Sequence, residues 1–276
     1  MGVTFIVDLL RLVLPLLYAV LVVVYGITFF TSAPILERTK HPALIFVILL
    51  HWVYLAARTA AFDHPPITSV FEILTLLAVG NAMAYLYVEF RTHVQNTGLF
   101  VLSFTLVFQT VSSIFIKDLL VIPEYLHSLV LGFHVSTALL GYTALSLSAV
   151  YGLLYLMLYH EIKSSRFGMV YSRLPNLEML ETMSHRAEVF GFVMLSVAIL
   201  IGVVWLPVVF KDISYLDPKL IGTIAIWCLY ALALMAKRKA GWQGRKTMIV
   251  SLVGFAFVFL SMIVINIYLS SFHTFH

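Results

Sequence analysis

One cysteine, Cys228, is all the thiol chemistry that these 276 residues contain, and it lies inside an apolar run. An intrachain disulfide, a multi-thiolate metal site and a CxxC redox pair are therefore excluded. Charge is scarce as well. Asp, Glu, Lys and Arg make up 11% of the chain against 62% hydrophobic residues, and the mean hydropathy is +1.01. That balance excludes soluble globular enzymes and fits a polytopic membrane protein. No Gly-rich phosphate loop, HExxH zinc pair or GxSxG elbow occurs, so the mechanisms those motifs serve drop out. The formal charge of +4 and the pI near 9.1 do not indicate a nucleic-acid partner. Basic residues cluster between apolar runs rather than along a solvated face, as bilayer topology requires.

What the chain does have is long apolar stretches. About 20 helical residues cross roughly 30 Å of hydrocarbon, and eight stretches approach that length: Leu12 to Phe30, Pro42 to Ala61, Val70 to Val88, Gly98 to Phe115, His127 to Tyr159, Ala187 to Phe210, Leu220 to Met235 and Thr247 to Tyr268. The sequence thus predicts an all-α, polytopic integral membrane protein with about eight transmembrane helices in contact with the lipid bilayer. The fifth stretch is too long for one perpendicular crossing and predicts tilt or extension beyond the bilayer. Pro34, directly after Ser32 and Ala33, makes a poor processing site, so the first stretch reads as a span rather than a cleaved signal.

Orientation follows from Lys and Arg. The N-terminal flank and the connections after spans two, four and six hold five of them, whereas the alternate connections hold twelve. The richer set belongs in the cytoplasm, which places both termini outside a cell membrane, inner or plasma. His134, His273 and His276 then lie toward the outer face, as does the loop from Lys211 to Lys219. With no repeat, low-complexity tract or composition shift, residues 1–276 are expected to form a single transmembrane domain. In the largest cytoplasmic connection, Leu174, Leu177, Leu180 and Met183 recur every three residues, the pattern of a short amphipathic helix on the membrane surface or packed beneath the bundle. Ala144, Ser148 and Gly152 recur every four residues and offer a stripe for close helix packing.

Histidine carries the chemistry. Imidazole in lipid needs a partner, and it is a common ligand of haem iron and other transition metals. His134 and His273 come from helices distant in sequence but end on one membrane face, where they could ligate one metal or haem iron from two sides, or hydrogen-bond to water and carbonyls instead. His127, seven residues before His134, shares its helix face. His51 sits near the middle of span two, where an unpaired polar group is expensive. Arg58, two turns further out, could hold a carboxylate such as a haem propionate bidentately. It could equally pair with Glu72 at the start of span three.

Ordered blocks in the C-terminal half resemble the cytochrome c assembly proteins of the CcsA and CcmC type, with the related HemX membrane proteins. They are FHVSTALLGY around His134, RLPNLEMLETMSHR from Arg173, LDPKLIGTIAIWCLY from Leu216, AGWQGRK from Ala240 and the terminal SSFHTFH. The resemblance is strongest over 126–276 and looser before it. It implies a haem-handling protein in which His134 and His273 are axial ligands of haem b beside an external loop. The implied partners are haem, an apocytochrome c and another membrane assembly subunit. Delivery within a haem-attachment system, rather than bond-making by its own side chains, is the implied role. The chain departs from the family pattern at the external loop: KDISYLDPK keeps Tyr215, Asp217 and Pro218 without the usual tryptophan cluster. Met235 stands where the assembly proteins often carry a histidine. Both departures lean toward a HemX-like branch, a regulatory or scaffold protein linked to haem biosynthesis.

Overall fold

The computed structural model describes residues 2–31, 33–92, 94–118, 126, 128–209 and 217–264. Its elements there are α1 (Gly2–Phe30), α2 (Pro34–Phe62), α3 (Val70–Thr92), α4 (Gly98–Phe115), α5 (Leu129–Lys163), α6 (Met169–Arg173), α7 (Leu177–Val209), α8 (Pro218–Lys239) and α9 (Arg245–Val264). The protein is an all-α, multi-pass membrane protein. Seven helices among the described residues are long and apolar enough to cross a bilayer: α1 to α5, α7 and α8. The eighth expected span begins in α9, and its stretch from 265 to 268 lies outside the described residues.

Helix ends follow local chemistry. Pro34 opens α2 in the first turn, where its missing N–H is no loss. Asp63 closes the same helix in the left-handed region at φ 57°. With 35 residues and a rise of about 1.5 Å each, α5 is roughly 50 Å long, well beyond the hydrocarbon thickness. Its excess length was legible in the apolar run.

The amphipathic segment is a correction. Residues 177–186 are not a separate surface helix but the first turns of α7, which continues unbroken to Val209. The physical reason is that no breaker separates them from the span. Leu180, Ser184, Glu188, Gly191, Leu195 and Ala198 form one buried stripe that runs from the first turn of the helix into the apolar span. Charged residues at its start extend the helix past the bilayer without ending it.

The helices gather into two compact units. The first comprises residues 1–122 with 172–175. There α1 packs on α2 and α4, and α3 packs on α4 and α2, which closes a four-helix bundle. The second comprises 123–171 and 176–276, in which α5 packs against α7 and α9 while α8 covers both of those. Close approach inside the second unit rests on small residues. A Cβ on Gly141 would come 3.2 Å from the Gly191 carbonyl oxygen, so α5 and α7 meet nearly backbone to backbone. The predicted stripe serves the same purpose: Ser148 Oγ lies 3.0 Å from Ser184 Oγ of α7 and 2.7 Å from Ser251 Oγ of α9.

Candidate functional site

His134 occupies the second turn of α5, at the end of its unit where α7 finishes. Its Nδ1 lies 2.8 Å from the Ala198 carbonyl oxygen. A carbonyl only accepts, so Nδ1 carries the proton and the ring's lone pair sits on Nε2. Gly202, one turn beyond Ala198, makes room for the imidazole. A Cβ there would stand 3.0 Å from His134 Cε1 and 3.3 Å from Nδ1. The ring is thus held in one tautomer and close against α7.

Asp217 immediately precedes α8 and is buried, and its carbonyl accepts the Ile221 N–H at 3.1 Å. Tyr215, His273, His276 and His127 lie outside the described residues. Met235 faces outward from α8, half exposed, as a residue in apolar surroundings does. Among the described residues no group of three or more His, Cys, Asp and Glu side chains could hold a metal ion.

In the first unit His51 is fully buried and both ring nitrogens are engaged. The Tyr18 hydroxyl lies 2.9 Å from Nδ1, and Nε2 lies 2.9 Å from Thr75 Oγ1. Thr75 in turn donates to Gln109 Oε1 at 2.8 Å, and Gln109 Nε2 donates to Ser113 Oγ at 3.1 Å. Because the Thr75 proton is committed to Gln109, His51 donates through Nε2 and accepts from Tyr18 through Nδ1. One directional chain of hydrogen bonds therefore crosses all four helices.

Arg58 is clamped nearer one end of that bundle, with 1% of its side chain exposed. Its Nε donates to Glu72 Oε1 at 2.9 Å, Nη1 to Asp118 Oδ1 at 2.8 Å and Nη2 to the Lys117 carbonyl at 2.9 Å. The other Glu72 oxygen accepts both the backbone N–H and the hydroxyl of Thr68, each at 2.7 Å. The expected pairing of Arg58 with Glu72 is thus present. Asp118 was not foreseen, since it follows α4 in an unremarked connection.

A second charged cluster also escaped sequence reasoning. Glu89 of α3 is buried, with one oxygen 3.1 Å from the Tyr25 hydroxyl and 3.3 Å from His41 Nδ1. Lys40 is buried beside it, its Nζ 5.5 Å from the centre of the Tyr25 ring. The available signal was four polar side chains at the ends of three apolar runs, which sequence spacing alone does not bring together.

The comparison with known families falls on this geometry. Residues 67–273, about three-quarters of the chain, match the family described as Cytochrome C assembly protein. The chain belongs to that family. The match begins well before residue 126, so the N-terminal half carries more of the family pattern than its blocks suggested. Among assembly-protein relatives, the chain is similar to the cytochrome c biogenesis protein CcsA of Guillardia theta, 25% identical with 78% of this chain and 77% of that protein covered. It is also similar to CcsA of Trieres chinensis, 25% identical over 91% and 90%. Protein HemX of Brevibacillus brevis is 26% identical over 79% of this chain and 80% of its own.

Proposed function

We propose that this cytochrome c assembly family member binds haem at the His134 end of its second unit and presents it to an apocytochrome c partner. One observation carries the proposal: the His134 ring is oriented by a hydrogen bond from Nδ1 to a backbone carbonyl. Metal-ligating histidines characteristically donate their other ring N–H in this way, which fixes the tautomer and raises the basicity of the ligating nitrogen. That orientation supports haem binding, in which His134, through Nε2, and His273 would hold the iron, with Tyr215 and Asp217 as further contacts. When bound, haem b would supply the iron and the two vinyl groups, each of which is consumed as a cysteine thiol of the apocytochrome adds across it to form a thioether.

The chain's own contribution is to hold and orient that group. The Ala198 carbonyl and Gly202 keep the imidazole in place, and no side chain is required to make or break a bond. His51 and Arg58, also candidates for the cofactor, have their polar atoms engaged inside the first unit, which favours His134 and His273 over them as the ligands. Positive-inside bias supports an orientation with both termini and His134 outside the cell membrane. The names of the CcsA relatives support a place in cytochrome c assembly.

Absorption spectroscopy of the full chain, purified from haem-replete cells, tests this. A Soret band is expected, and His134→Ala with His273→Ala should remove it. A colourless wild-type protein overturns the proposal. The HemX relatives favour a second reading, in which the chain is a scaffold linked to haem biosynthesis. Deleting the chain then lowers a haem-synthesis activity while cytochrome c holds its level, the reverse of the pattern expected for delivery.

A further inference from the structure

Four exposed cations remain on the connection between α8 and α9 after its internal pairing is complete. Lys237 is taken by Glu181 of α7, Nζ to Oε1 at 3.1 Å. The same carboxylate oxygen accepts the Gly244 N–H at 3.1 Å, which pins the loop to α7. Arg238, Lys239, Arg245 and Lys246 are exposed, and among the described residues no acid forms an ion pair with them. Across the same end of the unit Lys163, Arg166 and Arg186 are also exposed.

The loop is built rather than slack. The N–H groups of Ala240 and Trp242 both return to the Ala236 carbonyl, at 3.0 and 3.3 Å, around Gly241 at φ 63°. That left-handed residue ends α8 and turns the chain across the unit's end. Gly244, at φ 61°, makes the second bend, and Thr247 Oγ1 caps its carbonyl at 2.8 Å. Between the bends Trp242 is exposed, with Lys246 Nζ 6.0 Å from its ring centre. Topology alone would need only the number of charges and not a fixed arrangement. Here four exposed cations flank an indole between two fixed bends just past the end of the apolar helix α8, where a spanning helix meets the interfacial layer. An indole favours that layer, and phosphate groups of acidic lipids populate it.

We propose that the α8–α9 loop is a binding site for an anionic phospholipid headgroup, held by Arg238, Lys239, Arg245 and Lys246 with Trp242 seated among the acyl-chain roots. The site is independent of haem and lies wholly within the second unit.

Native mass spectrometry of the full chain in detergent, titrated with phosphatidylglycerol or phosphatidylcholine, reads the retained lipid directly. Preferential retention of phosphatidylglycerol is expected, weakening as ionic strength rises. Each charge removed should lower it by about fivefold at most, the equivalent of ~1 kcal/mol per cation near an anionic surface. Four such factors set a ceiling of roughly several hundredfold, and the variant R238Q/K239Q/R245Q/K246Q is expected to lose about tenfold or more of the preference within it. R38Q/R91Q, which removes two exposed cations of the first unit, should keep it. Equal retention of both lipids by the wild type, or an unchanged preference in the quadruple variant, overturns the proposal. Displacement of phosphatidylglycerol by equimolar inorganic phosphate overturns it too, in favour of a free-phosphate site. Thermal unfolding without added lipid confirms that the quadruple variant is folded, and Trp242→Ala, which leaves every charge in place, should weaken retention less than the quadruple change does.

Discussion

Gly202 has no side chain, and His134 uses the space where one would stand. Adding a methyl group there brings a carbon within 3.0 Å of Cε1, tighter than ordinary contact, so the ring must shift. Gly202→Ala should therefore move or weaken the Soret band of the haem-loaded protein, whereas Gly132→Ala, whose Cβ meets nothing within 4 Å, should leave it unchanged. Equal spectra for both variants would remove Gly202 from the positioning of His134. His51 calls for the opposite outcome. His51→Leu leaves the Tyr18 hydroxyl buried without its acceptor, at a cost of about 1–3 kcal/mol. A lower thermal midpoint with an intact Soret band is expected, and loss of the band would return His51 to the ligand set. The need for a partner at His51 was legible in the sequence, because a mid-span imidazole is expensive. Which residues met that need was not, since Tyr18, Thr75 and Gln109 lie on three other helices and only packing brings them together. His134 was singled out from its place near a span end, but the Ala198 carbonyl that orients it is backbone and leaves no mark in residue identity.

Two devices set how the helices meet. In the first unit Arg58 joins α2 to α3 and to the segment after α4, with its guanidinium and the Glu72 carboxylate almost fully buried. Removing one charge of such a pair strands the other, which costs about 3–5 kcal/mol. Arg58→Met should thus destabilise by about that amount, and adding Glu72→Gln, which keeps an acceptor for Thr68, should recover a large part. A double variant no more stable than the single one would show that the pairing is not the dominant contribution. In the second unit Gly191 stands against Gly141, and its added Cβ would lie 3.0 Å from the Gly141 carbonyl oxygen. Gly191→Val is expected to cost about 1–3 kcal/mol through overpacking. It should also spread α5 from α7, so that the Soret band suffers together with the thermal midpoint. The four-residue spacing of Ala144, Ser148 and Gly152 announced close packing along α5, which Ser148 makes against α7 and α9 and Gly152 against α9, but it did not include Gly141 or its contact with Gly191. The extent of α7 was less legible. Charges at Glu181 and Arg186 read as a membrane boundary, and a hydropathy boundary is not a helix boundary.

For the whole molecule, hydropathy revealed the spans because lipid leaves a spanning backbone little choice but the helix. The grouping of those helices into two units had no counterpart in composition, since both halves are equally apolar. Orientation rests on twelve Lys and Arg residues against five. A direct check uses the lone cysteine to advantage. In a Cys228→Ser background, the variant D8C should react with an impermeant maleimide on intact cells, and K239C only after permeabilisation. The reversed pattern would invert the proposed orientation.

The unbroken courses of α5 and α7 have a mechanical consequence. Both helices outrun the membrane, and from His134 to Lys163 the rise alone is about 44 Å. Glycine against glycine and serine against serine lock the two together along the way, so neither slides past the other without breaking buried contacts. The pair is thus tied together at several heights, with a histidine near one tip and an overhang at the other.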